Sequence, residues 1–213
     1  MDFQGDFESH VTVRLAGGED TRALRDWAAA RGLKFTHIVL ARGSTASQPM
    51  LTRHGRGRLA DERARAEALA GEIGATGFVV TRIKIEAAPS AEGVPQSNEE
   101  GARAAADQYF EHHVKLLLQP GVDLPALAAL AESYAAHLSR NALRSRADGR
   151  EERFVTQRCR GVGRPTARRH LDALLSALAA GAYEVLEVEE EFVVYDSDLS
   201  VDAGWIAAEG VAK

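Results

Sequence analysis

Apolar and polar side chains alternate along several stretches of the chain and recur with helical spacing along others. Strict alternation predicts strands with one buried face at residues 10–15, 78–86 and 110–117. Apolar residues three and four positions apart predict four helices, within residues 24–28, 66–73, 124–138 and 171–178. Each predicted helix needs an apolar partner surface, and the buried faces of the strands provide one.

The first predicted strand is repeated in the second half of the chain. The identical positions are Phe7, Glu8, His10 and Val11, which recur as Phe110, Glu111, His113 and Val114. Each copy is followed by helix, strand, helix and strand signals, with residues 33–43 and 153–161 as the middle strands. We therefore predict an α+β protein of two ferredoxin-like, open-faced sandwich lobes related by internal duplication, with antiparallel sheets and helices on one face.

The expected domain boundaries follow this repeat. Residues 1–88 form an N-terminal α/β lobe, residues 108–213 form a C-terminal α/β lobe, and residues 89–107, with several Pro, Gly and Ser, are a linker. Because the helices occupy one face of each sheet, we expect the polar faces of the two lobes to meet across a shared cleft.

Composition and charge narrow the class of protein. The chain has 213 residues, a formal net charge of −5 and a single cysteine, Cys159, so no internal disulfide can form. No apolar run approaches the ~20 residues of a membrane span, and the first residues do not form a signal peptide. A soluble, cytoplasmic protein is expected, with no membrane partner. A net acidic chain is also a poor candidate for binding duplex DNA.

The polar strands carry a candidate phosphate site. Its residues share one face of three predicted strands: His10, Thr12 and Arg14; Arg82 and Lys84; His113 and Lys115. Two imidazoles can give and take protons near neutral pH, while cations and a hydroxyl can hold a phosphoryl group. We predict His10 and His113 as an acid-base pair and the other residues as phosphate contacts. The alternative is a solvated sheet face with half-buried, hydrogen-bonded histidines.

The histidine motif resembles that of the 2H phosphoesterase superfamily, whose two similar lobes each contribute a histidine-hydrophobic-Ser/Thr-hydrophobic sequence to a central cleft. Residues His10 to Val13 match that sequence, whereas residues His113 to Leu116 have lysine in place of the hydroxyl residue. The resemblance implies a metal-independent phosphodiesterase or RNA ligase-like activity on a nucleotide, a cyclic phosphate or an RNA end, without a cofactor. It also implies that Thr12 contacts the phosphate.

A glycine-rich turn offers a second candidate anion site. Arg158 and Arg160 lie before a predicted helix whose N-terminal N–H groups, exposed by Gly161 and Gly163, would face the anion. An ordinary glycine turn is the alternative. The stretch from Arg42 to Gln48 is the expected counterpart in the first lobe.

The acidic stretch near the carboxyl end supports a different chemistry. Glu187, Glu189 and Glu191 share one strand face and would hold Mg²⁺ against a polyphosphate if they face the basic strands. This layout resembles the charged tunnel of triphosphate tunnel metalloenzymes, without their Glu-x-Glu-x-Lys signature. The alternative is a charged, exposed edge strand. Asp196, Asp198 and Asp202 are interpreted as turn and capping residues.

Histidine and cysteine spacing predicts no zinc-type metal site. The competing functional class is a non-catalytic module that binds a protein partner or a small ligand on its open sheet faces. The sequence leaves the oligomeric state open.

Overall fold

The computed structural model describes residues 2–144 and 146–205. Its strands are β1 (Gln4–Arg14), β2 (Lys34–Leu40), β3 (Ser47–Arg58), β4 (Val79–Ala87), β5 (Tyr109–Leu118), β6 (Ala136–Asn141), β7 (Glu151–Cys159) and β8 (Glu184–Asp196). Its helices are α1 (Gly18–Ala29), α2 (Leu59–Ala75), α3 (Asn98–Gly101), α4 (Leu124–Glu132) and α5 (Arg164–Ala180), followed by a short 3₁₀ helix, Leu199–Asp202.

These elements form the same βαββαβ unit twice, and α3 lies in the connection between the two units. Within the units the strand orders are β4-β1-β3-β2 and β8-β5-β7-β6, which is the ferredoxin-like order, and the pairings are antiparallel. The predicted α+β class with an internal duplication of ferredoxin-like units is therefore confirmed.

The two sheets do not stay separate. Strand β2 pairs with β6 and strand β4 pairs with β8, so the eight strands close into one antiparallel barrel. The polar sheet faces, which the sequence predicted on either side of a cleft, line the inside of this barrel. Closure was not evident from the sequence because strand alternation reports which face is buried and not which edges pair.

Two strands were missed. Strand β3 contains Pro49, Gly55 and Gly57, which are typical of turns, so the sequence gave it no strand signal. Strand β6 was interpreted as the end of a helix because Leu138 fits the apolar spacing of α4. The helix ends at Glu132, and Ala135 has a positive φ of 54° that turns the chain into β6. The predicted equivalence of residues 33–43 and 153–161 was therefore wrong, since β2 corresponds to β6 and β3 to β7.

The helices pack on the outside of the barrel because the outward positions of the strands are apolar. In the first unit, Val11, Val13 and Leu51 pack against Leu24 of α1 and Ile73 of α2. An equivalent cluster in the second unit consists of Val114, Leu116 and Val155 with Leu127, Leu171, Leu174 and Leu178. Burying each such side chain contributes about 1.5–3 kcal/mol. No helix within the described ranges is long and apolar enough to cross a membrane.

The connection between the units is ordered and packed. Ala91 and Val94 lie in a core cluster with Phe7, Phe110 and other residues where the two units meet. A capping box between Ser97 and Glu100 begins α3. The segment predicted as a linker therefore contributes to the core.

Candidate functional site

A cavity of about 440 Å³ lies inside the barrel. Its exposed lining residues mark the entrance: Lys34, Leu143, Arg144, Glu187 and Glu189. The segment after β8 packs across the barrel away from these residues. There Asp202 accepts a hydrogen bond from Gln48 of β3 at 2.9 Å, and the Trp205 indole N–H donates to the Leu138 carbonyl of β6 at 3.1 Å.

Most of the predicted site residues lie around this cavity. The lining includes His10, Thr12, Arg82, Lys84, His113, Lys115 and Arg158. Arg14 and Arg160 are not among the lining residues. Arg14 is the last residue of β1 and is exposed, and Arg160, beyond the end of β7, donates to the Ala106 carbonyl at 2.6 Å and stacks on Tyr109.

The two predicted histidines occupy equivalent positions in the duplicated units. His10 faces Thr52 in the β1–β3 register, and His113 faces Thr156 in the β5–β7 register. The Nδ1 atom of His10 lies 2.9 Å from the Thr52 hydroxyl, and that of His113 lies 3.1 Å from the Thr156 hydroxyl. These contacts orient both rings so that Nε2 faces the barrel centre. The threonines were not predicted because β3 was missed and Thr156 has no distinguishing neighbour in sequence.

Carboxylates surround both Nε2 atoms in the same duplicated pattern. His10 Nε2 lies 2.7 Å from Glu86 and 3.8 Å from Glu8. His113 Nε2 lies 3.5 Å from Glu191 and 3.3 Å from Glu111, and Glu86 approaches it at 4.0 Å. In the strand registers Glu86 and Glu191 are equivalent, as are Glu8 and Glu111. The repeated Glu-x-His sequence was the available signal for Glu8 and Glu111.

The buried cationic side chains that line the cavity are each paired with carboxylates; they are Arg82, Lys84 and Arg158, called the deep cations below. Lys84 Nζ lies 2.7 Å from Glu86 and 2.6 Å from Glu111. Arg158 contacts Glu111 and donates to Asp202 at 2.8 Å. Because carboxylates lie beside them, these cations do not form the predicted phosphate site as a set of basic residues alone.

A second set of ion pairs holds the segment after β8. Arg82 is bound by Asp196 through two contacts and lies 3.0 Å from Asp202. Asp196 and Asp202 are buried ion-pair partners, which their interpretation as turn and capping residues missed, although Asp196 also accepts from Asp198 N–H at 3.2 Å in the turn. Asp198 does cap the 3₁₀ helix by accepting from Ser200 N–H at 2.9 Å. No local sequence signal connects Asp202 to arginines on distant strands.

Burial and neighbouring charges shift the protonation of the central groups. Burial opposes the charged form of His113, yet the nearby carboxylates of Glu111, Glu86 and Glu191 raise its pKa to about 10. The ring is therefore a cation at neutral pH. Burial also opposes the charge on Glu86, but Lys84 and His10 hold its pKa well below the usual range. Burial and the adjacent Glu86 charge raise the pKa of Glu191 well above its usual range.

The acidic stretch on β8 faces the basic residues of the barrel. Glu187, Glu189 and Glu191 line the cavity, opposite Lys115, His113 and Glu111 in the β5–β8 register. Strand β8 pairs with β4 only at residues 192–196, so among the described residues the acidic stretch 187–191 pairs with β5 alone. The predicted charged edge is therefore present over this stretch, and the same glutamates also line the cavity.

Three of these groups have the spacing of metal ligands. Within residues 2–144 and 146–205, ligand atoms of Glu86, His113 and Glu191 lie within 4.8 Å of one another. The sequence suggested Glu191 as part of a possible Mg²⁺ site with Glu187 and Glu189, but not its grouping with Glu86 and His113, because these three residues lie on separate strands and have no diagnostic spacing.

The predicted anion site at the glycine turn is closed by other parts of the chain. Gly163 precedes α5, and its N–H donates to the Asn98 side chain at 3.0 Å. The next N–H, of Arg164, donates to the Pro95 carbonyl at 2.9 Å. An added Cβ at Gly163 would lie 2.4 Å from Ser97, so this glycine permits close packing of the connection. The equivalence with residues 42–48 also fails, since these residues lead into β3.

No protein-family model and no curated protein matches the chain. The solved structures that the chain matches include the acetolactate synthase small subunit from Thermotoga maritima, with 12% identity, 90% of this chain and 95% of that chain covered, and a TM-score of 0.32. Protein BT0572 from Bacteroides thetaiotaomicron has 12% identity, coverage of 93% and 97%, and a TM-score of 0.30. A chlorite dismutase mutant from Candidatus Nitrospira defluvii has 14% identity, coverage of 93% of each chain and a TM-score of 0.28. Values at this level assign neither a family nor a function.

Proposed function

We propose that the barrel interior binds the phosphate groups of a small molecule together with a divalent cation, and that the protein acts on those groups. The observation that carries this proposal is the presence of carboxylates and cations on the same wall of one cavity. Glu187, Glu189 and Glu191 lie beside Lys115 and His113 on the paired strands β8 and β5.

A divalent cation is included because the deep cations already have partners. A bare phosphate would compete with Glu111 and Asp202 for Arg158, and it would lie near the carboxylates of β8. A bound cation would remove this repulsion. In the structure described here, the protonated His113 ring partly neutralises the same carboxylates.

The residues present fit a metal ion. Glu86 and Glu191 offer oxygen atoms and His113 offers a ring nitrogen, and His113 and Glu191, whose pKa values are both raised, must lose their protons to become ligands. A cation held there would neutralise phosphate charge and polarise a P–O bond. Because one donor is nitrogen, Mn²⁺ or Zn²⁺ suits the set better than Mg²⁺, which prefers oxygen ligands.

The other lining residues bind and orient the ligand in this proposal. Lys34 is exposed at the entrance and has no ion-pair partner among the described residues, so it is available to phosphate oxygens. Lys115 lies 3.3 Å from Glu152 at the same cavity. Thr52 orients the His10 ring, and in this proposal the Nε2 atom of His10 donates or accepts the proton during the reaction.

The metal-independent phosphodiesterase that the histidine motif implies stays a prediction. It requires both Nε2 atoms to face a phosphate, and Glu86 lies beside both of them in this structure. Ligand binding by that route would have to displace a buried carboxylate. For this reason the metal-assisted alternative is the one the geometry favours.

Calorimetric titration with inorganic triphosphate, in Mn²⁺, in Mg²⁺ and without a divalent cation, tests the proposal. We expect binding that weakens at least tenfold without the cation and in Glu191→Gln or Lys115→Gln. Glu67→Gln, an exposed change on α2, serves as the control and should bind like wild type. Absence of binding in every condition, or equal binding by all variants, contradicts the proposal.

A phosphate-release screen on wild type, His10→Ala and His113→Ala tests the catalytic part. Turnover by wild type that both variants lose supports an enzyme. Triphosphate binding without turnover of any phosphoanhydride or phosphodiester substrate favours the binding module instead.

A further inference from the structure

The inner surface of the barrel is divided lengthwise into two walls. The charged wall is formed by the adjacent strands β1, β4, β8 and β5, which carry the acidic and basic residues described above. The uncharged wall is formed by β3, β2, β6 and β7. Its inward-facing lining residues are Thr36, Ile38, Leu40, Gln48, Met50, Thr52, Ser139, Asn141, Phe154 and Thr156.

Charged groups on the uncharged wall are confined to its ends. Among the lining residues of these four strands, Lys34 lies at the entrance and Arg158 is deep, where it is bound by Glu111 and Asp202. The middle of the wall holds Ile38, Met50 and Phe154, which are only partly buried and therefore face open space in the cavity. Apolar surface left in contact with water is unfavourable, and it is typical of pockets that take an organic group.

Uncharged hydrogen-bonding groups lie beside this apolar surface. The Thr36 and Ser139 hydroxyls have no side-chain hydrogen bond among the described residues. The Asn141 side-chain carbonyl accepts from Leu143 N–H at 3.0 Å, which leaves its amide nitrogen as a donor. Such a combination of apolar contacts and a few polar groups is suited to a heterocyclic ring.

We propose that the ligand is an organic phosphate of nucleotide size, with its phosphates on the charged wall and its uncharged ring system on the uncharged wall. This inference rests on the proposed function and names its substrate class. An inorganic polyphosphate would use only half of the cavity, since it offers no group to Phe154, Met50 or Ile38. A volume of about 440 Å³ falls within the range of small-molecule pockets.

The test compares three probes by calorimetric titration in the same Mn²⁺ buffer: inorganic triphosphate, ATP, and UTP. We expect at least one nucleoside triphosphate to bind ten times more tightly than inorganic triphosphate. Phe154→Leu, which keeps an apolar side chain, and Met50→Gln, of similar length, should each reduce that advantage at least threefold. Neither change should alter the affinity for inorganic triphosphate. Val79→Ala, at an exposed position outside the cavity lining, should leave all affinities unchanged.

The outcomes separate this inference from the proposed function. Equal affinity for inorganic triphosphate and both nucleotides overturns the inference and leaves the proposed function standing. An equal loss of affinity for all three probes in Phe154→Leu and Met50→Gln also overturns it, because those residues would then act through the fold. Binding of no phosphorylated probe overturns both.

Discussion

The Nε2 atom of His10 lies 2.7 Å from a carboxylate oxygen of Glu86 on the neighbouring strand. The equivalent pair in the second unit, His113 and Glu191, is separated by 3.5 Å. Because Glu86 also contacts Lys84 and approaches His113, one buried carboxylate connects the two units at the centre of the barrel.

Glu86→Gln is expected to lower the free energy of unfolding by about 1–3 kcal/mol, since it removes one of the two carboxylates that hold the buried Lys84 and the nearer of the two beside His10. Urea denaturation at pH 7 measures the change. The matched control is Glu67→Gln, whose exposed pair with Arg63 should contribute less than about 1 kcal/mol. Similar small losses in both variants would contradict a structural role for the Glu86 carboxylate.

We expect the stability of the protein to fall at acidic pH because of His137, and a single substitution tests this contribution. Burial, followed by the charge of Arg42, lowers the pKa of His137 from 6.5 to about 4. Since the folded pKa is below the unfolded one, stability is fully present above pH 6.5 and is lost as the pH falls towards 4. The loss amounts to about 3 kcal/mol at pH 4.

His137→Asn keeps an acceptor for the Arg42 guanidinium, which donates to His137 Nδ1 at 3.1 Å, and removes the titration. Denaturation curves between pH 4 and pH 7 should show a smaller loss of stability in the variant than in wild type. Parallel pH profiles would show that His137 does not contribute to the acid sensitivity.

Gly55 makes room for a buried carboxylate. An added Cβ would lie 2.1 Å from Glu62, which is held by the Ser9 hydroxyl at 2.9 Å and by Arg53 at 2.6 Å. Gly55→Ala should therefore destabilise the protein by about 1–3 kcal/mol, because Glu62 must leave its partners or the strand must shift. Thermal unfolding measures the effect.

Gly71 is the control for Gly55, because an added methyl group at Gly71 has free space around it. It lies within α2, and an added Cβ would meet nothing within 4 Å. Gly71→Ala should raise the stability by about 0.5–1 kcal/mol through helix propensity. Destabilisation of equal size at both positions would mean that the space around Glu62 is not the cause.

Asp202 fixes the segment that packs across the barrel. Asp202→Asn should weaken its pairing with Arg82 and Arg158, shift the fluorescence of the buried Trp205 towards longer wavelength, and destabilise the fold by about 3 kcal/mol. The substitution is made in a Trp27→Phe background, which removes the other tryptophan, so that the emission comes from Trp205 alone. Asp198→Asn, which changes the cap of the same 3₁₀ helix, should leave the stability and the emission wavelength nearly unchanged, because asparagine caps about as well as aspartate. Unchanged emission in Asp202→Asn would contradict this role.

The alternation of apolar and polar residues along the strands was sufficient to predict which residues form the central part of the site. It put His10, Lys84 and His113 on polar faces, and the structure brings all three to one cavity. Alternation does not report where a strand leaves the cavity, so Arg14 was included although it is exposed at the end of β1. The ligand-like cluster of Glu86, His113 and Glu191 depends on pairing between the two units, which no local pattern encodes.

The helices were easier to predict than the strands between them. Leu171, Leu174 and Leu178 repeat on one helical stripe, and all three are buried in the structure. In contrast, Leu138 fits both a helix and a strand, and the positive φ of Ala135 decided between them. A single short strand of six residues was lost in this way, together with the correct alignment of the two units.

The two seams of the barrel, β2 with β6 and β4 with β8, make each unit dependent on the other. A fragment ending before β5 would carry two rows of unpaired N–H and C=O groups, and such rows recruit strands from other molecules. A second copy of the fragment offers the same two rows in the related orientation. The isolated fragment is therefore expected to associate with itself, so the duplicated chain serves as the covalent equivalent of a symmetric pair.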